Sequence, residues 1–268
     1  MTAIPIDAAG TLPARYRVQS VDRAIDVIEA LAAADGGLGV TELARQLGRA
    51  KSAVFALLQT LEERGFVEST GTASARRYSL GLALARLGQR AASQVTLLDV
   101  ALPYLHELTE ASGQSSRVAV LSQGAALVVG QVDGPSTVRF DLNMGGRERL
   151  HCTGMGKAIL AQLDDEAALA LVRETGLPKH TARTIDTQDG LLAELATIRA
   201  RGFAIDDEED AEGIFCIGAA LRDHTGACCG AVSVTGIKAR FREQSIAPLC
   251  RAVSDAATAI SHRLGAPR

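Results

Sequence analysis

The chain has 268 residues, 47% hydrophobic and 22% charged, with aromatics at only 3% and a formal net charge of −3. That length suits a small domain plus a medium one, and the composition is that of a folded globular protein rather than a disordered or fibrous one. No apolar run reaches the roughly 18 residues of a bilayer span, and residues 1–13 lack the basic-then-apolar pattern of a secretory leader. Five unevenly spaced cysteines, none in a CxxC pair, point to reduced thiols, so a cytoplasmic location is expected.

Residues 1–16, with Pro5, Gly10 and Pro13, read as a flexible tail. From 21 to 34, Val21, Ile25, Ile28 and Leu31 recur at helical spacing, with Ser20 as the expected cap and Asp35-Gly36-Gly37 as the stop. A short helix follows at 41–47, capped by Thr41 and stopped by Gly48. A longer one runs from Ala50 to about Arg64 and ends at Gly65. Residues 66–68 and 77–79 then flank a stretch of small residues, as in a hairpin. Helix, short helix, glycine turn, longer helix and hairpin is the order of a winged helix-turn-helix, expected over residues 17–79.

A helix that enters a major groove needs a polar outer face and offers its N-terminus to phosphate. Arg49, Lys51, Ser52 and Gln59 supply that face here. Arg76 and Arg77 on the hairpin would meet the DNA backbone or the minor groove. Charge is uneven: residues 1–95 carry 11 Lys/Arg against 9 Asp/Glu, and residues 96–268 carry 17 against 22. The small basic excess in front fits DNA contact there without by itself indicating it.

Residues 80–95 read as a linker helix beginning with a capping Ser79, its Leu82, Leu84 and Leu87 free for a dimer contact. Residues 96–112 form another helix, which Pro103 is expected to kink or break. Beyond Gly113 the period shortens. Strands are expected at 117–122 and 126–132, joined by Gln123-Gly124, and again at 137–141, 203–207, 215–222 and 228–235. Helices are expected at 154–163, 166–175, 189–201 and 242–264. This mixture predicts an α+β domain over residues 96–268.

Several segments in order resemble the IclR family of bacterial transcriptional regulators. They are VQSVDRAIDVIEAL at 18–31, VTELARQLGRAKSAVFALLQTLEERGFVE at 40–68, RYSLGLALARLG at 77–88, HCTGMGKAILAQL at 151–163, GFAIDDEEDAEGIFCIGAALRD at 202–223 and GAVSVTG at 230–236. The resemblance implies a winged helix-turn-helix, a linker helix and a C-terminal GAF-like domain that binds an effector. It further implies a homodimer or tetramer on a palindromic operator in double-stranded DNA, and an effector that is a small organic, carboxylic metabolite. One departure stands in the recognition helix, where Phe55 and Ala56 replace the basic or polar residue many relatives carry, leaving Lys51, Ser52 and Gln59 as base readers.

Carried over position by position, the resemblance places Gly154 and Met155, then Asp206, Ile214 and Cys216, then Ser233 and Thr235 at the effector, with Phe140 as an apolar wall. Separate physics agrees. Gly154 to Gly156 sit at a helix start, which attracts anions, and Ser233 and Thr235 share one face of a strand. Asp206 would repel a carboxylate, so either the effector brings a hydroxyl or Asp206 caps a turn without touching it.

Other chemistries are weaker. The acidic run from Asp206 to Asp210 lacks calcium-loop spacing and reads as a solvated turn, with Asp206 set apart as the exception. His151 and Cys152, adjacent on a strand, would point oppositely and form no dyad. Cys228 and Cys229 with His224 lack the four ligands of a zinc site. No metal, no cofactor and no enzymatic activity is expected. The alternative function is a small-molecule-binding or enzymatic domain whose N-terminal helices serve assembly rather than DNA binding.

Overall fold

The structure, a computed structural model, describes residues 18–72, 75–92, 94–135, 145–241 and 243–267. Contacts divide the chain into two compact units between Gln94 and Val95.

In the first unit α1 (Gln19–Ala32) begins after Val18, whose carbonyl accepts from the backbone of Val21 and Asp22. Ser20 therefore lies inside the helix and not at its cap. The face it buries is Val27, Ala30 and Leu31, while Val21 and Ile25 stay exposed. β1 (Leu38–Gly39) leads into α2 (Val40–Gln46). Here the Gly39 N–H donates to the Glu42 carboxylate at 2.8 Å. This acidic side chain at the third helical position holds the helix start, and Thr41 falls within the first turn. α3 (Lys51–Glu63) follows, then the antiparallel pair β2 (Val67–Thr70) and β3 (Arg77–Leu80), with β1 completing a sheet ordered β1-β3-β2. Val27, Leu31, Leu43, Val54, Leu58, Val67 and Tyr78 close one small core.

Ser79 pairs with Glu68 inside β3 rather than capping a helix, so α4 (Leu82–Ala92) starts later than its sequence suggests. Gly81 marks the change: a Cβ there would lie 2.2 Å from the Gly65 carbonyl oxygen. Leu82 and Leu87 are exposed on α4, and Leu84 is half-buried.

The second unit opens with α5 (Leu97–Ser112), capped by the Thr96 hydroxyl on Asp99 N–H and ended by Gly113 in the left-handed conformation. The helix runs unbroken through Pro103. Burial of Val100, Ala101, Leu105 and Leu108 on the same helix outweighs the one backbone hydrogen bond that proline removes. Six antiparallel strands follow in the order β6-β5-β4-β9-β8-β7. They are β4 (Ser115–Ser122), β5 (Ala125–Val132), β6 (Arg147–Glu148), β7 (Ala204–Asp207), β8 (Ile214–Arg222) and β9 (Cys228–Ile237). Gln123 and Gly124, both with positive φ, make the β4–β5 turn. The strand expected at 137–141 lies outside the described residues.

Alternation sorts the sheet into two faces. Val118, Phe215, Ile217, Val232 and Val234 pack under α5 and α9 (Glu243–Arg263). Ala119, Val128, Ala204 and Ala231 pack under α6 (Gly154–Leu160), α7 (Asp165–Thr175) and α8 (Gln188–Arg201). All seven residues of α6 are buried. Among the described residues no helix is long and apolar enough to cross a membrane.

Candidate functional site

In the first unit α3 buries Val54 and Leu58 and turns Lys51, Ser52, Phe55, Ala56 and Gln59 outward. Arg49 stands at its approach, in a loose 3.8 Å ion pair with Asp26 that is almost half exposed. Gln59 donates to Glu62 at 3.2 Å. The hairpin arginines are held differently. Arg76 donates to both carboxylate oxygens of Glu62 at 2.9 Å and to the Ser69 hydroxyl at 2.8 Å, and its guanidinium lies 5.4 Å from the centre of the Tyr78 ring. The Ser69 hydroxyl also donates to Glu62 and is the largest influence keeping that carboxyl below its ordinary range. Arg77 reaches the Gly37 carbonyl at 2.7 Å and sits 3.5 Å from Glu42. Both hairpin arginines thus brace their own domain.

In the second unit, strand register gathers the expected effector residues on the α6 face of the sheet. Asp206 lies opposite Cys216, and Cys216 opposite Thr235; one row along, Gly218 lies opposite Ser233 and Ser233 opposite Arg117. Ile214 continues the same face of β8, half-buried. Against this surface rests the start of α6. A Cβ on Gly154 would lie 2.7 Å from the Cys216 sulfur, and one on Gly218 would lie 2.5 Å from the Gly154 backbone, so helix and strand touch main chain to main chain. Thr153 caps the helix through Gly156 N–H at 3.1 Å, and Met155 is fully buried. Phe140 lies outside the described residues.

Polarity on this face is buried and specific. Thr235 donates to the Cys216 sulfur at 3.1 Å, and burial pushes the Cys216 thiol up to about 12. Ser233 is wholly buried, and its hydroxyl has no hydrogen-bond partner among the described residues. Asp206 accepts from Glu209 N–H at 2.7 Å and from Asp210 N–H at 3.4 Å. It therefore caps the turn that follows β7, and burial raises it to about 7.

Two cations on or beside this face escaped the sequence reading. Arg117 is 1% exposed and pairs with Glu148 at 2.8 Å. Lys157 is fully buried and donates to Glu209, to Glu194 at 3.3 Å and to the Ile205 carbonyl at 2.6 Å. The one available signal was a lysine inside an otherwise apolar helix, Met155 to Leu160. Asp206 is buried, as its exception allowed, but the rest of the acidic run is not the solvated turn expected: Glu209 is buried too, and Asp207 and Glu208 pair with Lys238 and Arg183. A second correction concerns His151 and Cys152. They occupy a turn before α6, not a strand, so their side chains do not diverge; together with His180 their ligand atoms lie within 4.8 Å of one another.

Fold and site define a class, a DNA-binding transcription regulator with a separate sensor domain. Residues 20–71 match the IclR helix-turn-helix domain, and residues 89–262 match the bacterial transcriptional regulator IclR C-terminal domain. The chain belongs to the IclR family of transcriptional regulators. It is 32% identical over 263 residues to the transcriptional repressor IclR of Escherichia coli, across 97% of this chain and 95% of that protein. To the glycerol operon regulatory protein of Streptomyces coelicolor it is 37% identical over 259 residues, across 94% of this chain and 98% of the other. Among solved structures, the repressor BlcR of Agobacterium tumefaciens superposes with a TM-score of 0.75 at 25% identity, covering 94% of this chain and 99% of that one. These relatives are named as regulators, not enzymes.

Proposed function

We propose that the chain is a cytoplasmic repressor that binds a palindromic operator as a homodimer or tetramer and responds to a small carboxylic metabolite. Residues 17–79 bind DNA, residues 80–95 link, and residues 96–268 sense. Lys51, Ser52 and Gln59 read the groove, while Arg49 exchanges its loose partner for phosphate. Arg76 and Arg77 contact the backbone only by giving up part of their internal bracing.

The observation that carries the sensor reading is the buried, unpartnered Ser233 hydroxyl beside Thr235, Cys216 and the start of α6. A buried polar group without a partner costs free energy that a ligand recovers. Gly154 and Met155 offer backbone N–H groups at a helix start, Ile214 supplies an apolar wall, and Arg117 provides positive charge on the same face. Asp206 serves by capping its turn. Two of the relatives named above are called repressors, which supports repression as the sense of regulation.

The test is gel retardation with intergenic DNA next to the gene. Retardation must weaken steeply as salt rises, and a small organic acid that stabilises the protein must release the DNA. A coupling of about 1–3 kcal/mol is sufficient. Absence of retardation at low salt removes the DNA-binding reading. Retardation indifferent to every stabilising acid removes the sensor reading alone.

A further inference from the structure

Beside α6, and apart from the face just described, three side chains of metal-ligating type converge. His151 and Cys152 are buried in the turn that precedes the helix, and His180 arrives, exposed, from the segment after α7; one ligand atom of each lies within 4.8 Å of the other two.

Hydrogen bonds position each of them. His151 Nε2 is 3.1 Å from the Pro178 carbonyl oxygen. A carbonyl only accepts, so Nε2 carries the hydrogen and Nδ1 keeps its lone pair. A ligating histidine is typically fixed in this way, by its second nitrogen donating to a backbone carbonyl. The Cys152 thiol donates at 3.4 Å to Asp210 Oδ1, a carboxylate oxygen that also accepts from Arg149 at 3.0 Å. His180 rides on an anchored segment. Thr181 and Thr184 donate to the carbonyls of Glu208 and Glu209, each at 2.6 Å, and Thr184 accepts from the His180 N–H at 3.0 Å.

We propose that His151, Cys152 and His180 bind one divalent transition-metal ion of the zinc class, with Asp210 the protein oxygen at hand for a fourth position. Two imidazoles and a thiolate are the donor set such ions prefer. Ligands at metal distances of about 2.0–2.3 Å stand roughly 3.3–3.8 Å apart on a tetrahedron. The cluster must contract by about 1 Å, which the exposed His180 ring supplies by rotating. On binding, the metal takes the place of the Cys152 thiol proton, which leaves to solvent. The ion then clamps three segments: the turn entering α6, the segment after α7, and the acidic turn capped by Asp206. This site is independent of the effector reading, since it is tested with neither effector nor DNA.

Full-length protein is stripped with a chelator, dialysed and titrated with cobalt(II). One cobalt per chain is expected, with a thiolate-to-metal charge-transfer band and the strong visible bands of a tetrahedral site, both erased by zinc. C152S removes the charge-transfer band. H180Q, a change at an exposed position with little bearing on folding, weakens binding by about tenfold or more. No charge-transfer band in folded wild-type protein overturns the site. So does a band that survives C152S, which would assign the metal to another thiol such as Cys228, or cobalt affinity unchanged in H180Q.

Discussion

The two units use charge in opposite ways. In the winged helix-turn-helix every described ion pair is at least partly exposed; Arg76 and Glu62, the best formed, keep 37% and 25% of their side-chain surface. In the sensor unit Arg117 and Lys157 are closed off from solvent, each against buried carboxylates. Exposed pairs contribute about 0–1 kcal/mol and can be exchanged for a phosphate. Buried pairs are nearly neutral as a pair and very costly to break, because the surviving partner is left charged and dry. The front unit's charges are free to be used on a partner. In the rear unit Arg117 and Lys157 are fixed parts of the architecture, while other pairs there, such as Lys179 with Asp186, stay exposed.

Substitutions test that contrast, beginning with the largest effect. Lys157→Ala leaves the buried Glu209 without its cation, while Glu194 keeps Arg201, and chemical denaturation should register a loss of about 3–5 kcal/mol. A loss below 1 kcal/mol would mean the pair is hydrated and the contrast false.

Next comes pH. Burial holds the Glu148 carboxyl above its ordinary value of 4.5, against the opposing pull of Arg117. A carboxyl raised on folding binds its proton more tightly in the native state. Its stabilising contribution is therefore complete below about 4.5 and shrinks as pH climbs above that value. Glu148→Gln keeps an acceptor for Arg117 but cannot titrate, so this part of the pH dependence should vanish from denaturation midpoints. A variant with the same pH profile as the wild type would locate the titration elsewhere.

Arg76→Ala removes a bridge between hairpin and recognition helix. A stability loss of about 1 kcal/mol is expected, within the range of partly exposed pairs. Smallest in stability is Arg49→Ala, which gives up only the loose, half-exposed pair with Asp26, within about 0.5 kcal/mol. Its effect belongs to DNA: affinity falls alike for all sequences, and the slope of log affinity against log salt drops by about 1. If Arg76→Ala instead changes the slope and Arg49→Ala does not, the hairpin and not the approach to the helix carries the phosphate contacts.

Local chemistry made the front unit legible. Helical spacing inside α3, Gly48 and Gly65 after helix ends, and a stretch of small residues between two β-rich runs gave its order. Hydroxyl caps misled three times. Ser20, Thr41 and Ser79 each look like a helix start, yet the starts are set by Val18, by Glu42 on Gly39, and by the strand register that holds Ser79 opposite Glu68. In the rear unit, family resemblance led to the Asp206–Cys216–Thr235 row, which strand pairing then brings together. Arg117 and Lys157 were invisible because their partners are distant in sequence. Glu148 lies 31 residues from Arg117, and Glu209 lies 52 from Lys157. Periodicity carries no information at that range. His151 and Cys152 failed for a different reason: a turn was taken for a strand, and one residue of conformation decides whether neighbouring side chains diverge or converge.

Glu62 has a consequence for how such a protein reads its operator. It accepts from Arg76 and Ser69 on the hairpin while standing on the same helix as Lys51 and Gln59. Helix and hairpin are thereby cross-braced into a single rigid gauge, unable to adjust one contact without dragging the other. A gauge of that kind follows the local shape of the duplex poorly, so tolerance for variant sequences must come from bending the DNA.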